Sequence, residues 1–246
     1  MHAFLLIGQS NMAGRGFLNE AHTIDAKRIY TLRNGRWQRM FRPINPDRSF
    51  SGVSLAESFA ERYAREFDVD VGLICCADGG TSLAQWQPGS QLFDHAVAQA
   101  KLAQRTATIV GVLWHQGEAD CSSGLYNTYQ SRFEPIMQAL REELNLQNIP
   151  FLLGGLGDYL PQYPTSDILK NYHHVNDALI RIARENPMTG FVSAEGLTSN
   201  PDFLHFNADS LYEFGIRYFE EWKKLRPVLT SLSGDGDTVR SQMELL

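Results

Sequence analysis

The sequence is poor in cysteine, in positive charge and in long apolar runs, and each shortage excludes a class of protein. Three cysteines among 246 residues are too few for a disulfide framework, and the adjacent Cys75 and Cys76 lie in an apolar run typical of buried thiols. A formal net charge of -6 excludes nucleic acid and membrane surfaces from the expected partners, because both need a basic protein face. No apolar run is long enough to cross a bilayer.

What remains is the composition of a globular protein, with 43% hydrophobic and 20% charged residues. The length suits one α/β domain, which we place at residues 1–226, followed by a peripheral tail at 227–246. The chain enters its first apolar run within three residues of Met1, so we expect no signal peptide and predict a cytoplasmic location. The alternative is a secreted protein whose leader has been trimmed.

Five short apolar runs alternate with helical patterns along the chain. The runs lie at residues 3–7, 69–77, 108–114, 150–154 and 190–194, and the helical patterns lie at 56–67, 129–144, 179–183 and 211–222. Near-continuous apolar strands are typical of a parallel sheet that is covered on both faces. The alternation therefore predicts an α/β fold, a three-layer sandwich around a central, mostly parallel five-stranded sheet.

Residues 17–52 fit this alternation poorly. They carry several arginines, the turn signal Asn34-Gly35, and prolines at positions 43 and 46. We expect this stretch to run as a long excursion over the sheet, in the manner of a lid or a binding loop.

Four polar segments follow or flank the predicted strands and hold the reactive side chains. They are residues 8–12, 78–86, 114–120 and 202–207. Because loops at the carboxyl ends of parallel strands share one rim, these segments can converge. Between them they supply a serine, a histidine, an acid three residues before it, two glycines and an amide. That set is what acyl transfer needs: a nucleophile, a base, a group that orients the base, and donors for the oxyanion.

Taken alone, each residue also has a structural interpretation. Ser10 after the first strand is as consistent with a helix cap as with a nucleophile, and Asp202 after a proline is typical of a turn cap. The spacing of Asp202 and His205 favours chemistry, because one turn of a loop or 3₁₀ segment brings side chains three residues apart together. The carboxylate can then reach one ring nitrogen while the other nitrogen faces Ser10.

Four motifs in order resemble one known family. They are Gly-Gln-Ser-Asn-Met from residue 8, Gly-Gly-Thr-Ser-Leu-x-x-Trp from residue 79, Trp-x-Gln-Gly-Glu-x-Asp from residue 114, and Asp-x-x-His-Phe from residue 202. This series resembles the SGNH-hydrolase superfamily, and within it the sialate O-acetylesterase and acetylxylan esterase group, carbohydrate esterase family 6. The resemblance implies a flavodoxin-like fold in which Ser10 is the nucleophile, His205 the general base and Asp202 the acid that orients it.

The resemblance also implies an oxyanion hole made by the N–H of Ser10, the N–H of Gly79 and the side chain of Gln116. Gly80 is adjacent to Gly79, and the sequence does not choose between them. Gln116 departs from the asparagine of the wider superfamily by one methylene. We assign substrate contacts to four residues, Gln9, Gly80, Trp86 and Glu118, with Trp86 either stacking on a sugar or packing in the core. No metal and no cofactor is expected.

Other reactive side chains receive structural interpretations. His115 neighbours Gln116 but would point the opposite way on a strand, which excludes it as the base. His173 and His174 lack partners at metal-ligand spacing and are interpreted as surface or core histidines. Glu118 and Asp120 could form the carboxylate pair of a glycosidase, but we favour a bracing role, with Arg15 as a partner of complementary charge.

The resulting hypothesis is a serine hydrolase that releases acetate from a small O-acetylated carbohydrate through an acetyl-enzyme. Xylan requires export of the enzyme, so an acetylated sialate or other small sugar is favoured over xylan. An α/β-hydrolase is disfavoured, because its Gly-x-Ser-x-Gly elbow lies in mid-chain whereas Met12 stands at the second glycine here. The remaining alternatives are a general small-ester esterase and a silent carbohydrate-binding module that uses Trp37, Trp86 and the 17–52 stretch.

Overall fold

The computed structural model describes residues 1–225, and one seven-stranded sheet runs through them. The strands are β1 (His2–Gly8), β2 (Ile29–Arg33), β3 (Arg36–Arg39), β4 (Val71–Cys75), β5 (Thr108–His115), β6 (Phe151–Gly154) and β7 (Thr189–Val192). Their spatial order is β3-β2-β4-β1-β5-β6-β7, and every neighbouring pair is parallel except β2 with β3. The predicted α/β fold with a mostly parallel sheet is confirmed. The tail predicted from residue 227 lies outside the described residues, and the domain boundary at 226 stays a prediction.

The predicted count of five strands was too low by two, and both missing strands lie in the 17–52 stretch. Asn34 and Gly35 have φ angles of 50° and 73°, which is the geometry of a tight two-residue hairpin turn between β2 and β3. Thr31 then pairs with Leu73 in parallel, which joins the hairpin to β4. The stretch is therefore in part an extension of the sheet at its edge.

Helices cover both faces of this sheet. Those of thirteen or more residues are α2 (Leu55–Phe67), α3 (Gln91–Ala103), α5 (Tyr129–Leu144), α6 (Tyr172–Glu185) and α7 (Ala208–Leu225), and the two short ones are α1 (Ser10–Ala13) and α4 (Ser123–Tyr126). Each of the four predicted helical patterns lies within one of the long helices. The start of α2 is fixed by a capping box, in which the Glu57 carboxylate accepts the N–H of Ser54 at 3.1 Å.

The alternation of side chains along β1 and β5 separates two halves of the core. Phe4 packs edge-on against Phe59 of α2, with ring centroids 4.7 Å apart, and against Trp222 of α7. On the opposite face, Trp114 packs against Phe133 of α5 at 5.0 Å. The central strands are thus buried on both sides, which explains why their sequences are almost continuously apolar.

The centre of the sheet determines where polar loops meet. Strands β4, β1 and β5 are neighbours, and all three run in the same direction. The segments that follow them therefore emerge at one rim, as expected for open α/β sheets. Within residues 1–225, no helix combines the length and the apolar character that a membrane crossing requires.

Candidate active site

Ser10 lies at the first position of α1, directly after β1, and is almost fully buried. The backbone reaches it through Gly8, whose φ angle is 126° and whose missing Cβ would lie 2.1 Å from the carbonyl oxygen of His115. Only glycine fits that approach. The N-terminal cap of α1 is Gln9, without a side-chain capping bond, so the interpretation of Ser10 as a helix cap is wrong.

The side chains of Ser10, His205 and Asp202 form a continuous chain of hydrogen bonds. The Oγ of Ser10 lies 3.0 Å from Nε2 of His205, and Nδ1 of the same ring lies 2.7 Å from Oδ2 of Asp202. The predicted convergence of two segments 195 residues apart is therefore present in the fold. Both ring nitrogens of His205 are in contact with a partner that suits proton transfer: a hydroxyl on one side and a carboxylate on the other.

Asp202 is held in its ionised form by the turn in which it lies. Its Oδ1 accepts the N–H groups of Leu204 and His205 at 2.9 and 3.0 Å. Burial tends to raise the pKa of this carboxyl, but the hydrogen bonds from the imidazole and from the two N–H groups outweigh burial and lower its pKa to about 2. Phe203 completes the turn with a φ angle of 54°, an unusual conformation for a bulky side chain.

Asn11 connects the nucleophile turn to the His205 loop and was not among the predicted site residues. Its buried amide nitrogen donates to Oε1 of Glu118 at 2.6 Å and to the carbonyl oxygen of Leu204 at 3.3 Å. Its amide oxygen accepts the N–H of Phe206 at 3.1 Å. The signal for this residue was its place beside Ser10 in the first motif, but the partners only become visible in three dimensions.

The loop of Gly79 and Gly80 lies beside Ser10. A Cβ placed on Gly79 would be 3.5 Å from the Cβ of Ser10 and 2.5 Å from the guanidinium of Arg15, so only glycine fits there. The N–H of Gly79, predicted as an oxyanion donor, is already engaged, because it donates to Oδ2 of Asp47 at 2.9 Å. Gly80 is exposed, and within residues 1–225 its N–H and that of Ser10 donate no hydrogen bond to the protein.

Asp47 is the second site residue that sequence reasoning missed, and it lies in the 17–52 stretch. Arg15 donates to both of its oxygens, at 3.0 and 2.7 Å, and both side chains are at least 96% buried. Burial tends to raise the pKa of Asp47, but hydrogen bonds from Arg15, Ser51 and Gly79 hold it below its usual value. The expected pairing of Arg15 with Glu118 or Asp120 is wrong, because Arg15 binds Asp47.

Gln116 is fully buried and braces the third loop from inside. Its amide nitrogen donates to the carbonyl oxygen of Thr81 at 3.1 Å and to Oδ2 of Asp120 at 2.6 Å, while its amide oxygen accepts from the hydroxyl of Tyr129. Because both amide hydrogens have protein acceptors, the prediction of an oxyanion donor at Gln116 is wrong. The bracing role expected of Asp120 is present, since its other oxygen accepts from Arg132 at 2.9 Å.

The four residues assigned to substrate contacts have different positions. Trp86 is fully buried and donates to the hydroxyl of Thr81 at 3.1 Å, so stacking of Trp86 on a sugar is wrong and core packing is correct. Gln9 and Glu118 are also buried: the Gln9 side chain accepts the N–H of Gly117, and Glu118 accepts from Asn11. Only Gly80 lies on the surface.

The other histidines stand apart from Ser10. His115 is fully buried, its Nε2 lies 3.2 Å from the carbonyl oxygen of Gly155, and burial lowers its pKa. Its ring packs against Phe206 and Phe214, opposite to Gln116 as predicted for neighbouring strand positions, and its Nδ1 lies 3.9 Å from Oε1 of Glu118. On α6, His173 is exposed and His174 stacks on a tyrosine.

The fold and the side chains at the carboxyl edge of the sheet indicate a broad class of protein, and comparison with known proteins then gives the family. A parallel α/β sheet with a serine, a histidine and an aspartate hydrogen-bonded at its carboxyl edge is the arrangement that acyl transfer by a serine needs. The lipase/acylhydrolase of Enterococcus faecalis shares this fold, with a TM-score of 0.52 at 14% identity that covers 91% of this chain and 96% of its own. The protein is a carboxylic ester hydrolase. More specifically, residues 1–224 match the model of the carbohydrate esterase, sialic acid-specific acetylesterase family, and the chain belongs to that family.

Individual relatives agree with this assignment. A probable carbohydrate esterase of Arabidopsis thaliana, At4g34215, is 27% identical over 240 residues, which cover 87% of this chain and 86% of the relative. The X-ray structure of the Arabidopsis thaliana protein AT4G34215 has a TM-score of 0.77 at 25% identity and covers 91% of this chain and 98% of its own. NanS, with a TM-score of 0.69 at 15% identity, covers 91% of this chain and 96% of its own and shows the likeness of fold.

Proposed function

We propose that this carbohydrate esterase removes O-linked acetyl groups from a small sugar through an acetyl-enzyme formed on Ser10. The observation that carries the proposal is the pair of short contacts at His205, 3.0 Å to the Ser10 hydroxyl and 2.7 Å to the Asp202 carboxylate. A serine hydroxyl with this neighbour can lose its proton as it attacks, and the carboxylate stabilises the imidazolium that forms.

In the first half-reaction, Oγ of Ser10 attacks the acetyl carbonyl carbon while Nε2 of His205 takes the hydroxyl proton. The negative charge that develops on the carbonyl oxygen is received by the N–H of Ser10 and by the N–H of Gly80, since the N–H of Gly79 already donates to Asp47. The bond between the acetyl carbon and the sugar oxygen then breaks, and His205 returns its proton to the sugar hydroxyl. Donors that are already aimed at the developing charge lower the barrier, since no solvent must reorganise.

In the second half-reaction, His205 takes a proton from a water molecule that attacks the acetyl-Ser10 carbonyl. The carbon–Oγ bond breaks, the proton passes from His205 to Ser10, and acetic acid leaves and loses its remaining acidic proton to solvent to give acetate. Asp202 keeps its negative charge in both steps, because its pKa of about 2 lies far below neutral pH. This constancy supports Asp202 as the group that orients the imidazole rather than a group that exchanges protons.

The substrate and the location of the protein are further parts of the proposal. A sialate or another small acetylated sugar is the favoured substrate, in keeping with the family, and xylan is the alternative. The cytoplasmic location stays a prediction. A catalytically silent binding module is the rival class, and the intact hydrogen-bond chain at Ser10 argues against it.

The test is acetate release from a panel of O-acetylated sialic acids, acetylated xylo-oligosaccharides and ethyl acetate, combined with labelling by a serine-directed organophosphonate. The account predicts release from at least one acetylated sugar, and a single label on Ser10 that abolishes this release. No acetate from any sugar, together with no label on Ser10, would favour the silent binding module. Release of acetate from ethyl acetate alone would favour a general esterase.

A further inference from the structure

Two exposed phenylalanines lie on the segments that surround Ser10 and His205. Phe203 lies two residues before His205 and is 37% exposed, and Phe50 is 68% exposed. The Phe50 ring contacts Arg15, with the guanidinium carbon 5.2 Å from the ring centroid. Gly79 packs against both Arg15 and Ser10. Phe50 therefore lies on the Gly79 side of the nucleophile, and Phe203 lies on the His205 side.

The backbone of Phe203 gives this arrangement additional weight. Glycine and asparagine adopt a φ angle of 54° at little cost in free energy, whereas this angle is unfavourable for phenylalanine. The turn from Asp202 to His205 therefore carries a bulky ring where the backbone would prefer a small residue, and that ring is partly in solvent. Local strain at a reacting centre is an indication that the side chain serves a function.

The tryptophans expected to meet a sugar do not lie at this mouth. Trp86 is fully buried. Trp37 covers Gly72 near the start of β4 and donates to the hydroxyl of Thr106 at 3.0 Å, just before β5. These contacts lie at the amino ends of the strands, the edge opposite Ser10. Neither tryptophan therefore presents a ring beside the nucleophile, whereas Phe50 and Phe203 are exposed on the segments around it.

We propose that Phe50 and Phe203 are specificity-determining residues that bind the sugar of the substrate. A pyranose ring has a face of C–H groups that packs on the negatively charged face of an aromatic ring. With the acetyl ester at Ser10, the sugar lies at the mouth between the two rings. The ligand class is thus a pyranose with an accessible C–H face, and the proposal rests on the proposed esterase function.

A polar cavity beside the Gly79 and Gly80 loop is the competing place for the sugar. Its volume is about 350 Å³, and it is lined by Asp78, Thr81, Gln85, Ser90, Gln91 and Leu92. It presents no aromatic ring, and its carboxylate at Asp78 is already paired with Arg48 at 2.9 Å. If the sugar binds between the two phenylalanines, substituting them should weaken its binding. If it binds in the polar cavity, substituting a cavity residue such as Gln91 should do so, and mutation therefore distinguishes the two sites.

The experiment compares kcat/KM for an O-acetylated sialic acid, an acetylated xylo-oligosaccharide and ethyl acetate in Phe50→Ala, Phe203→Gly and the wild type. Phe203→Gly suits the local backbone, and thermal melting verifies that both variants fold. We expect the ratio of the sugar ester to ethyl acetate to fall about tenfold in each variant, mainly through KM, as expected for a lost aromatic contact. Phe41→Ala is the matched control, because Phe41 is 54% exposed but stacks on Arg33 of β2.

The outcomes separate this inference from the proposed function. An unchanged ratio in both variants, or a fall in Gln91→Ala in their place, overturns the aromatic mouth and leaves the esterase account intact. A wild-type protein that releases acetate from none of the sugars contradicts the proposed function itself. A ratio that falls in Phe50→Ala and Phe203→Gly but not in Phe41→Ala supports the inference.

Discussion

Arg15 and Asp47 form a buried ion pair with two hydrogen bonds, of 3.0 and 2.7 Å, directly behind the loop that faces Ser10. The same carboxylate accepts the N–H of Gly79 at 2.9 Å. The pair therefore joins the nucleophile segment, the 17–52 stretch and the second loop into one unit. Its position implies that the stretch outside the predicted sheet supports the site as well as extending the sheet.

Asp47→Asn should reduce both stability and turnover. The substitution leaves the buried Arg15 guanidinium without its counter-charge, and breaking a buried pair in this way costs about 3 kcal/mol. The loop of Gly79 then loses its anchor, so kcat for acetate release should fall more than KM rises. Urea unfolding and steady-state kinetics measure the two effects. Asp68→Asn removes an exposed ion pair with Arg28, and should change stability by less than about 1 kcal/mol.

The difference in stability between the wild type and Asp47→Asn should depend on pH with a definite sign. The pKa of Asp47 is lowered in the folded protein, so its stabilising contribution is complete above the ordinary carboxyl pKa of about 3.9. It is lost as the pH falls through the lowered value. Unfolding free energies between about pH 7 and pH 3 should therefore converge on acidification. A gap that widens at low pH contradicts this assignment of charge.

Asn11→Asp should be more harmful than its small change in shape suggests. The new carboxylate would lie against Oε1 of Glu118, where the amide now donates at 2.6 Å, and it would lose the bond to the Leu204 carbonyl. A buried group that loses its partner costs about 1 to 3 kcal/mol. We expect lower kcat/KM and slower organophosphonate labelling of Ser10. Asn127→Asp, at an exposed amide that donates to Ser123 within one turn, is the control and should retain activity.

Gly79→Ala and Gly80→Ala should have very different effects on the rate of acetate release, although each substitution adds one methyl group. At Gly79 the methyl would overlap the Arg15 guanidinium at 2.5 Å and approach Asp47 at 3.0 Å, and the bidentate pair holds both in place. At Gly80 the methyl enters open space and meets only the cost of a φ angle of 79°, about 1 to 2 kcal/mol. Acetate-release rates should thus fall far more in Gly79→Ala. Equal losses would show that the packing behind Gly79 does not matter for turnover.

The parts of the structure that were predictable depend on patterns local to the chain. The strand at residues 3–7 is apolar throughout, and the helical stripes recur at three- and four-residue steps, so the sheet and its covering helices followed directly. Parallel strands then bring their carboxyl ends together without further information. That rule places Ser10, after β1, and the loop after β7 that holds His205 at the same edge of the sheet, although 195 residues separate the two side chains.

The parts that could not be predicted depend on partners that are far apart in sequence, or on side chains that suit a buried role and a substrate-facing role equally well. The β2 and β3 hairpin is short and rich in arginine, and its edge position relaxes the need for apolar residues. Asp47 lies 32 residues before Gly79, and no pattern joins them. Trp86 was equally suited to a sugar or a core, and burial of its ring decided for the core. Gln116 has an amide that could serve an oxyanion, but two internal acceptors engage it.

The central claim is that Ser10 is the nucleophile, and the most direct measurement is the rate of acetate release by Ser10→Ala. The variant loses one oxygen, and Ser10 makes no capping bond that would be missed by α1, so the thermal midpoint should remain close to that of the wild type. We predict a kcat lower by roughly four to six powers of ten on any acetylated sugar that the wild type hydrolyses. A folded Ser10→Ala protein that releases acetate at a near wild-type rate would contradict the account.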